Sequence, residues 1–179
     1  MIFEQKNKFR EYYKNVLNNI QDREEKEIAA NENLINIIDT YDYKKIAIFL
    51  SFKNEISTEM LHMFLLSENK EIYAPKIVNN SLEFGKLSFD TNLIINNFGI
   101  PEPSISQPIF DFDVIITPFL AFDEKKYRLG YGKGYYDKYF TKYNGFKIGF
   151  GFSDQYTKSL PTLDTDIPLD LIVTDKFIF

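Results

Sequence analysis

Residues 113–140 read DVIITPFLAFDEKKYRLGYGKGYYDKYF. Val114 to Thr117 is a β-branched run stopped by Pro118, the pattern of a strand buried on both faces. A charged loop follows. Then Gly130, Gly132 and Gly134 alternate with Tyr131 and Lys133. Tyr135, Tyr139 and, just beyond, Tyr143 recur at the spacing of one helix face. The order is strand, loop, glycines, helix. In an open α/β sheet that order places the loop outside the carboxyl end of a strand, where ligands bind.

Glycine costs backbone entropy, so its clustering needs a reason. The chain has eight glycines, and three of them fall within Gly130 to Gly134. Either the turn needs positive φ, or a ligand lies against bare backbone. Free N–H groups at a helix start attract anions, and Arg128 and Lys133 add charge at the same place. The physical reading is a phosphate cradle, with a tight turn as the plainer alternative. It matches neither familiar phosphate loop. The Walker pattern fails because Gly132-Lys133 is followed by Gly134 instead of Ser or Thr. The dinucleotide fingerprint fails at Tyr135. Asp137, in the first turn of the helix, reads as a helix-dipole carboxylate or as a Mg²⁺ ligand beside bound phosphate. Asp164, Asp166 and Asp170 offer a second oxygen donor.

Outward from this stretch, Phe9, Tyr13, Val16 and Ile20 mark an amphipathic helix over 3–20, with Lys6 and Arg10 four apart on its flank. A second helix is expected from Asp22, with Glu25 as capping-box partner, to about Asp39. KIAIFLS (45–51) reads as a buried strand. NEISTEMLHMFLLSEN leads into a helix capped near Ser57 or Thr58. EIYAP is a further strand, and residues 77–110 alternate strand and loop, with breaks at Gly85, Gly99, Pro101, Pro103 and Pro108. FKIGFGF and LDLIVTD supply two last strands. Strands alternating with helices imply an α/β three-layer sandwich, a mainly parallel central sheet with helices on both faces. The 179 residues read as a single domain, 1–179.

Composition narrows the chemistry. There is no cysteine, and the single histidine is His62. Thiolate chemistry, Cys-ligated zinc, His triads and multi-His metal sites are excluded, which leaves oxygen ligands and Mg²⁺. A polar N-terminus without a signal-peptide core and apolar runs too short to span a bilayer fit a cytoplasmic protein without membrane partners. A net charge of −5 argues against a general nucleic-acid binder. A monomer is the expectation.

These residues resemble a known family. ITPFLAFDEKKYRLGYGKGYYDKYF is similar to the signature of 5-formyltetrahydrofolate cyclo-ligases: a strand, a proline, Ala/Gly-Phe-Asp, then Arg-Leu-Gly-x-Gly-x-Gly-Tyr-Tyr-Asp. Lys6 and Arg10 match the family's N-terminal Lys-x-x-x-Arg. FLSFKNEIST resembles its first strand and Glu-Ile-x-Thr, and GIPEP resembles its Ile-x-Glu-Pro. The resemblance implies ATP- and Mg²⁺-dependent conversion of 5-formyltetrahydrofolate to 5,10-methenyltetrahydrofolate, releasing ADP and phosphate. It assigns Lys6, Arg10, Arg128, Leu129, Gly130, Tyr131, Gly132, Lys133, Gly134, Tyr135 and Tyr136 to ATP. Leu50, Glu55 and the span Tyr131 to Tyr135 go to the folate, and Asp137 and Asp166 to the metal. Arg128 and Lys133 would stabilise charge on the transferring phosphoryl group. The chain departs from many members at Thr165, before the second aspartate. Each assignment has a plainer reading: a solvated helix face for Lys6 and Arg10, a helix-end charge for Glu55, strand packing for Leu50. His62 reads as structural or exposed, and Asp123 as a loop-shaping residue. Two rival functions are a sugar-phosphate isomerase or coenzyme A transferase on a similar fold, and a single-stranded RNA binder that uses the interleaved cations and tyrosines.

Overall fold

A computed structural model describes residues 1–179. In chain order, α1 is Ile2–Asn18, α2 Arg23–Thr40, β1 Lys45–Ile48, α3 Glu59–Ser67, β2 Glu71–Val78, β3 Ser81–Leu87, β4 Leu93–Ile95 and β5 Pro101–Pro103. There follow β6 Val114–Thr117, β7 Ala121–Asp123, β8 Arg128–Leu129, α4 Tyr135–Phe140, β9 Phe146–Phe150, β10 Tyr156–Thr157 and β11 Leu171–Val173. The central sheet has the order β11-β9-β6-β1-β2-β3. Every pairing in it is parallel except β2 with β3. Parallel strands need both faces covered, and Ile46 to Ile48 of β1 and all of β6 are accordingly buried. On one face Tyr13, Leu17, Leu34, Ile38, Leu61 and Leu65 of α1, α2 and α3 pack on Ile46, Ile48 and Ile116. On the other, Tyr139 and Phe140 of α4 join Phe84, Phe112, Phe119 and Ile115. The expected α/β architecture is present, with a heavy helical layer on one face and a single short helix on the other.

Three local expectations are corrected. Asp22 precedes α2 but makes no side-chain cap bond and has φ 51, so no capping box with Glu25 forms. A capping residue normally has extended backbone, and the left-handed Asp22 departs from it. The tyrosine stripe outruns its helix: α4 ends at Phe140, and Tyr143 packs from the following loop, donating its hydroxyl to Phe112 O and Phe146 O at 3.2 Å each. Gly85 is no chain break. It lies inside β3, where an added Cβ would stand 2.2 Å from Ile105 O and 2.5 Å from Pro103, so it permits close passage of the 103–105 segment. The real turn beside it is Asn79-Asn80, at φ 48 and 61, the positive-φ pair of a tight hairpin.

The chain leaves β1 toward β2 on one side and later returns to β6 on the other. The sheet order therefore reverses between β1 and β6. The loops after these two strands, beginning at Phe49 and at Pro118, diverge there and leave a crevice, the usual ligand position in open α/β sheets.

Candidate active site

The crevice is a cavity of about 750 Å³. Every residue assigned above to ATP, folate or metal lines it: Lys6 and Arg10 from α1, Leu50 and Glu55 after β1, Arg128 to Asp137 after β6, and Asp166 near the C-terminus. Its two halves differ in chemistry.

One half is cationic. Lys6 is buried, and its Nζ lies 2.5 Å from Asp166 Oδ2. The solvated-face reading of Lys6 is thereby overturned: α1 packs beside β7 and β10, with the Tyr13 hydroxyl donating to Tyr156 O at 2.8 Å, and this lysine is turned inward. Arg10 donates from Nε to Gly130 O at 3.0 Å. Burial lowers its pKa, and Asp166 acts in the opposite sense. Arg128 donates from Nη2 to Asp137 Oδ1 at 3.2 Å, and its guanidinium lies over the rings of Tyr136 and Phe140 at 5.2 and 5.7 Å. Its Nε is buried without a partner, although buried donors are nearly always satisfied. Lys133 is exposed in the loop between these groups.

The glycines separate by role. Gly132 has φ 106 and Gly134, the residue before α4, φ 65, both in the region that favours glycine. Gly130 has no positive φ, yet a Cβ there would stand 3.3 Å from Arg128 Nη1. One on Gly132 would stand 3.3 Å from the Arg10 guanidinium carbon. Turn geometry and close approach of cations thus both operate in this loop. Asp137 does more than complement a helix dipole. It is the counter-ion of Arg128 and also accepts from Ile167 N at 3.4 Å. Asp166 accepts from Leu163 N at 2.7 Å as well as from Lys6. Asp170 is turned toward Lys147, and Asp164 is exposed and does not line the cavity.

The other half is apolar, with Phe52, Pro75, Leu82, Phe98 and Ile100, and it holds two buried carboxylates. Glu55 accepts from Phe52 N at 2.9 Å. Burial pushes its pKa up to about 7, against the opposing bonds of Phe52 N–H and the Tyr131 hydroxyl. Glu102 on β5 accepts from Ile77 N at 3.1 Å and Asn96 Nδ2 at 2.8 Å. Sequence reasoning left Glu102, Phe98 and Ile100 unassigned. Only the Pro-flanked glutamate of GIPEP carried a signal, because no periodicity marks a hairpin folded over a cavity. His62 is buried on α3 with its pKa lowered to about 4 by burial, outside this cavity and uncharged. Asp123 shapes its loop, accepting from Lys125 N, Tyr127 N and Leu160 N at 3.0 Å each.

The profile of the 5-formyltetrahydrofolate cyclo-ligase family matches residues 2–175. This chain belongs to that family. A 5-formyltetrahydrofolate cyclo-ligase of Haemophilus influenzae is 34% identical over 158 residues, covering 82% of this chain and 84% of the relative. One from Escherichia coli is 35% identical over 141 residues, covering 72% and 76%. Among solved structures, the 5,10-methenyltetrahydrofolate synthetase of Aquifex aeolicus superposes with a TM-score of 0.84 at 31% identity, covering 97% of this chain and 91% of the other. The two halves of the cavity differ in the ligand chemistry they can take. A phosphorylated ligand suits the glycine loop and its cations, and a flat heterocycle rich in N–H donors suits the apolar half with its buried carboxylates.

Proposed function

We propose that this chain converts 5-formyltetrahydrofolate and ATP to 5,10-methenyltetrahydrofolate, ADP and phosphate. The observation that carries the reading is the single cavity, in which a cationic glycine loop faces an apolar wall ending in buried Glu55. ATP lies along Arg128 to Tyr136, with Lys6 and Arg10 reaching its phosphates from α1. The pterin lies against Leu50, and its amino and ring N–H groups donate to Glu55. Tyr131 to Tyr135 bound both ligands.

The formyl oxygen attacks the γ-phosphorus, and ADP departs. N10 then adds to the activated formyl carbon and loses its proton, and phosphate leaves with the formyl oxygen. Phosphoryl transfer of this kind depends on positioning and charge neutralisation, so a site without His or Cys is sufficient. Arg128, held by Asp137 and two aromatic faces, carries a preorganised positive charge. Lys133, without an ion-pair partner, is free to follow the transferring group.

No cluster of three or more His, Asp or Glu side chains forms, so no all-protein metal cage exists. Magnesium rarely needs one, since one or two carboxylates plus substrate phosphates serve. Asp137 and Asp166 fit that donor set and would hold Mg²⁺ jointly with the phosphates, sharing their oxygens with Arg128 and Lys6. The ion when bound would supply further charge neutralisation.

The test follows the absorbance of the methenyl product with and without ATP, using substrate labelled with heavy oxygen in the formyl group. The expected result is ATP-dependent product and one labelled oxygen per phosphate. Product without ATP would overturn the reading, and unlabelled phosphate would overturn direct phosphorylation.

A further inference from the structure

The wall that carries Glu55 is a turn, residues 50–55, with a second cavity of about 580 Å³ behind it. Leu50, Lys53 and Glu55 line both cavities, whereas Arg23 lines only the one behind. Lys53 has φ 54, a backbone conformation that a non-glycine residue keeps only when its surroundings hold it. Within the turn, Glu55 N donates to Phe52 O at 3.2 Å, and the Glu55 side chain accepts from Phe52 N. These two bonds set the carboxylate's direction but do not anchor the turn to the rest of the molecule.

Two side chains anchor it: Asn54 donates from Nδ2 to Asn18 Oδ1 at the end of α1, and Arg23, in the first turn of α2, makes the larger set of contacts. Its Nη2 donates to Asn54 O at 2.7 Å and to Glu55 O at 2.9 Å. Its Nη1 donates to Leu17 O at 3.2 Å, at the end of α1. Its Nε faces Glu27 Oε1 at 3.2 Å, and its guanidinium carbon lies 4.8 Å from the centre of the Phe152 ring. One planar group thus ties the junction of α1 and α2 to the two carbonyls at the end of the turn. A lysine ammonium has neither the fork nor the flat face.

We infer that Arg23 is a positioning residue for substrate selection: from outside the ligand cavity it fixes the 52–55 turn so that Glu55 meets the N–H donors of the folate heterocycle. The inference rests on the assignment of Glu55 to the folate. Arg23 itself touches neither the glycine loop nor any group assigned to ATP, so its direct hold is on the folate wall.

The test compares Arg23→Lys, Arg23→Gln and Glu55→Gln in steady-state kinetics with each substrate varied, together with calorimetric folate binding and thermal melts. Arg23→Lys and Arg23→Gln are expected to raise KM and Kd for 5-formyltetrahydrofolate on the order of tenfold, the cost of one charge-assisted hydrogen bond. KM for ATP and kcat stay within about twofold, because uniform binding of one substrate is what is lost. A lowered melting point with unchanged folate KM assigns Arg23 a merely structural role and overturns the inference. An equal rise in both KM values, with a fall in kcat, also overturns it, since that marks general loosening. The Glu55→Gln arm separates the two readings. If it raises folate KM while the Arg23 variants do not, only the Arg23 inference fails. If it too leaves folate KM unchanged, the Glu55 assignment itself is wrong.

Discussion

The two halves of the cavity bury charge in opposite ways. In the cationic half the buried charges are paired: Lys6 with Asp166 and Arg128 with Asp137. In the apolar half Glu55 and Glu102 have no cation within salt-bridge distance and rely on backbone, amide and hydroxyl donors. A paired buried charge is costly to break from one side, because its partner is left uncompensated. An unpaired buried carboxylate instead moves its pKa, as Glu55 does. The comparison teaches that one wall is preorganised by ion pairs, which under the proposed function phosphates and a cation would re-partition. The other is held ready by desolvation, for a ligand that brings neutral donors.

Arg128→Ala breaks the comparison most severely. It strands Asp137 and removes the cover of Tyr136 and Phe140. A stability loss of about 3 kcal/mol in urea melts is expected, with kcat falling about 10³-fold as a charge aimed at the transferring group is lost. A variant with native stability and turnover would remove Arg128 from both roles.

Gly132→Val strikes the same wall through the backbone. With φ 106 and Arg10 3.3 Å from any Cβ, Gly132→Ala is expected to cost about 1–3 kcal/mol. Gly132→Val costs more, because the branched side chain adds bulk at the loop where phosphate is proposed to lie. Activity falls roughly 10²-fold for valine, an order of magnitude more than for alanine. Equal kinetics for the two variants would refute close ligand approach.

Glu55→Gln sharpens the contrast from the other wall, and its sign is set by pH. A carboxyl whose pKa is raised from 4.5 to about 7 in the folded chain binds more protons when folded than when unfolded. Its destabilising effect is absent below about 4.5, grows as pH rises through the window, and is complete above about 7. Glu55→Gln is therefore expected to raise the melting point at pH 8 by several degrees and to leave it nearly unchanged at pH 4. Folate KM at pH 8 rises on the order of tenfold or more, because a carboxylate acceptor becomes a neutral amide. In the wild type, kcat/KM for the folate should decline as pH falls below about 7, where Glu55 takes up a proton. A melting shift of the same size at both pH values would show that burial is not what sets the Glu55 pKa.

Lys133→Ala is the mildest change. Lys133 is exposed and belongs to no ion pair, so its melt should match the wild type. KM for ATP should rise roughly tenfold, as expected for one flexible phosphate-binding cation. Unchanged ATP affinity in calorimetry would exclude it from the site.

The local grammar of the chain was legible in the sequence. Val114 to Thr117 reads as a buried strand from branching alone, α1 reads from its apolar spacing, and α2 and α3 read from the cap-type residues before them. Alternation of strands and helices carried the parallel sheet. The glycines of the 130–134 loop announced unusual backbone, because φ values of 106 and 65 are open to few other residues. The failures were equally physical. Asp22 has the right residue type for a capping box but the wrong backbone angle, and Asn79-Asn80 passed unread because its neighbourhood held louder Gly and Pro signals.

The sequence by itself determined which chemical groups exist: no thiol, one histidine, a cation-flanked glycine loop, and a run of residues shared with one enzyme family. Tertiary structure alone decided how those groups pair. Lys6 and Asp166 lie 160 positions apart, and no periodicity relates them. They meet because α1, packed beside β7, turns Lys6 toward the loop that carries Asp166. The same holds for Glu55, whose type is readable but whose burial depends on the turn before it, on Tyr131 from a distant loop, and on Arg23 behind. Hydrophobic pattern encodes which face of an element goes inward. Charge pairing and the pKa of a buried group depend on what the rest of the chain brings to that face, and only the folded arrangement supplies it.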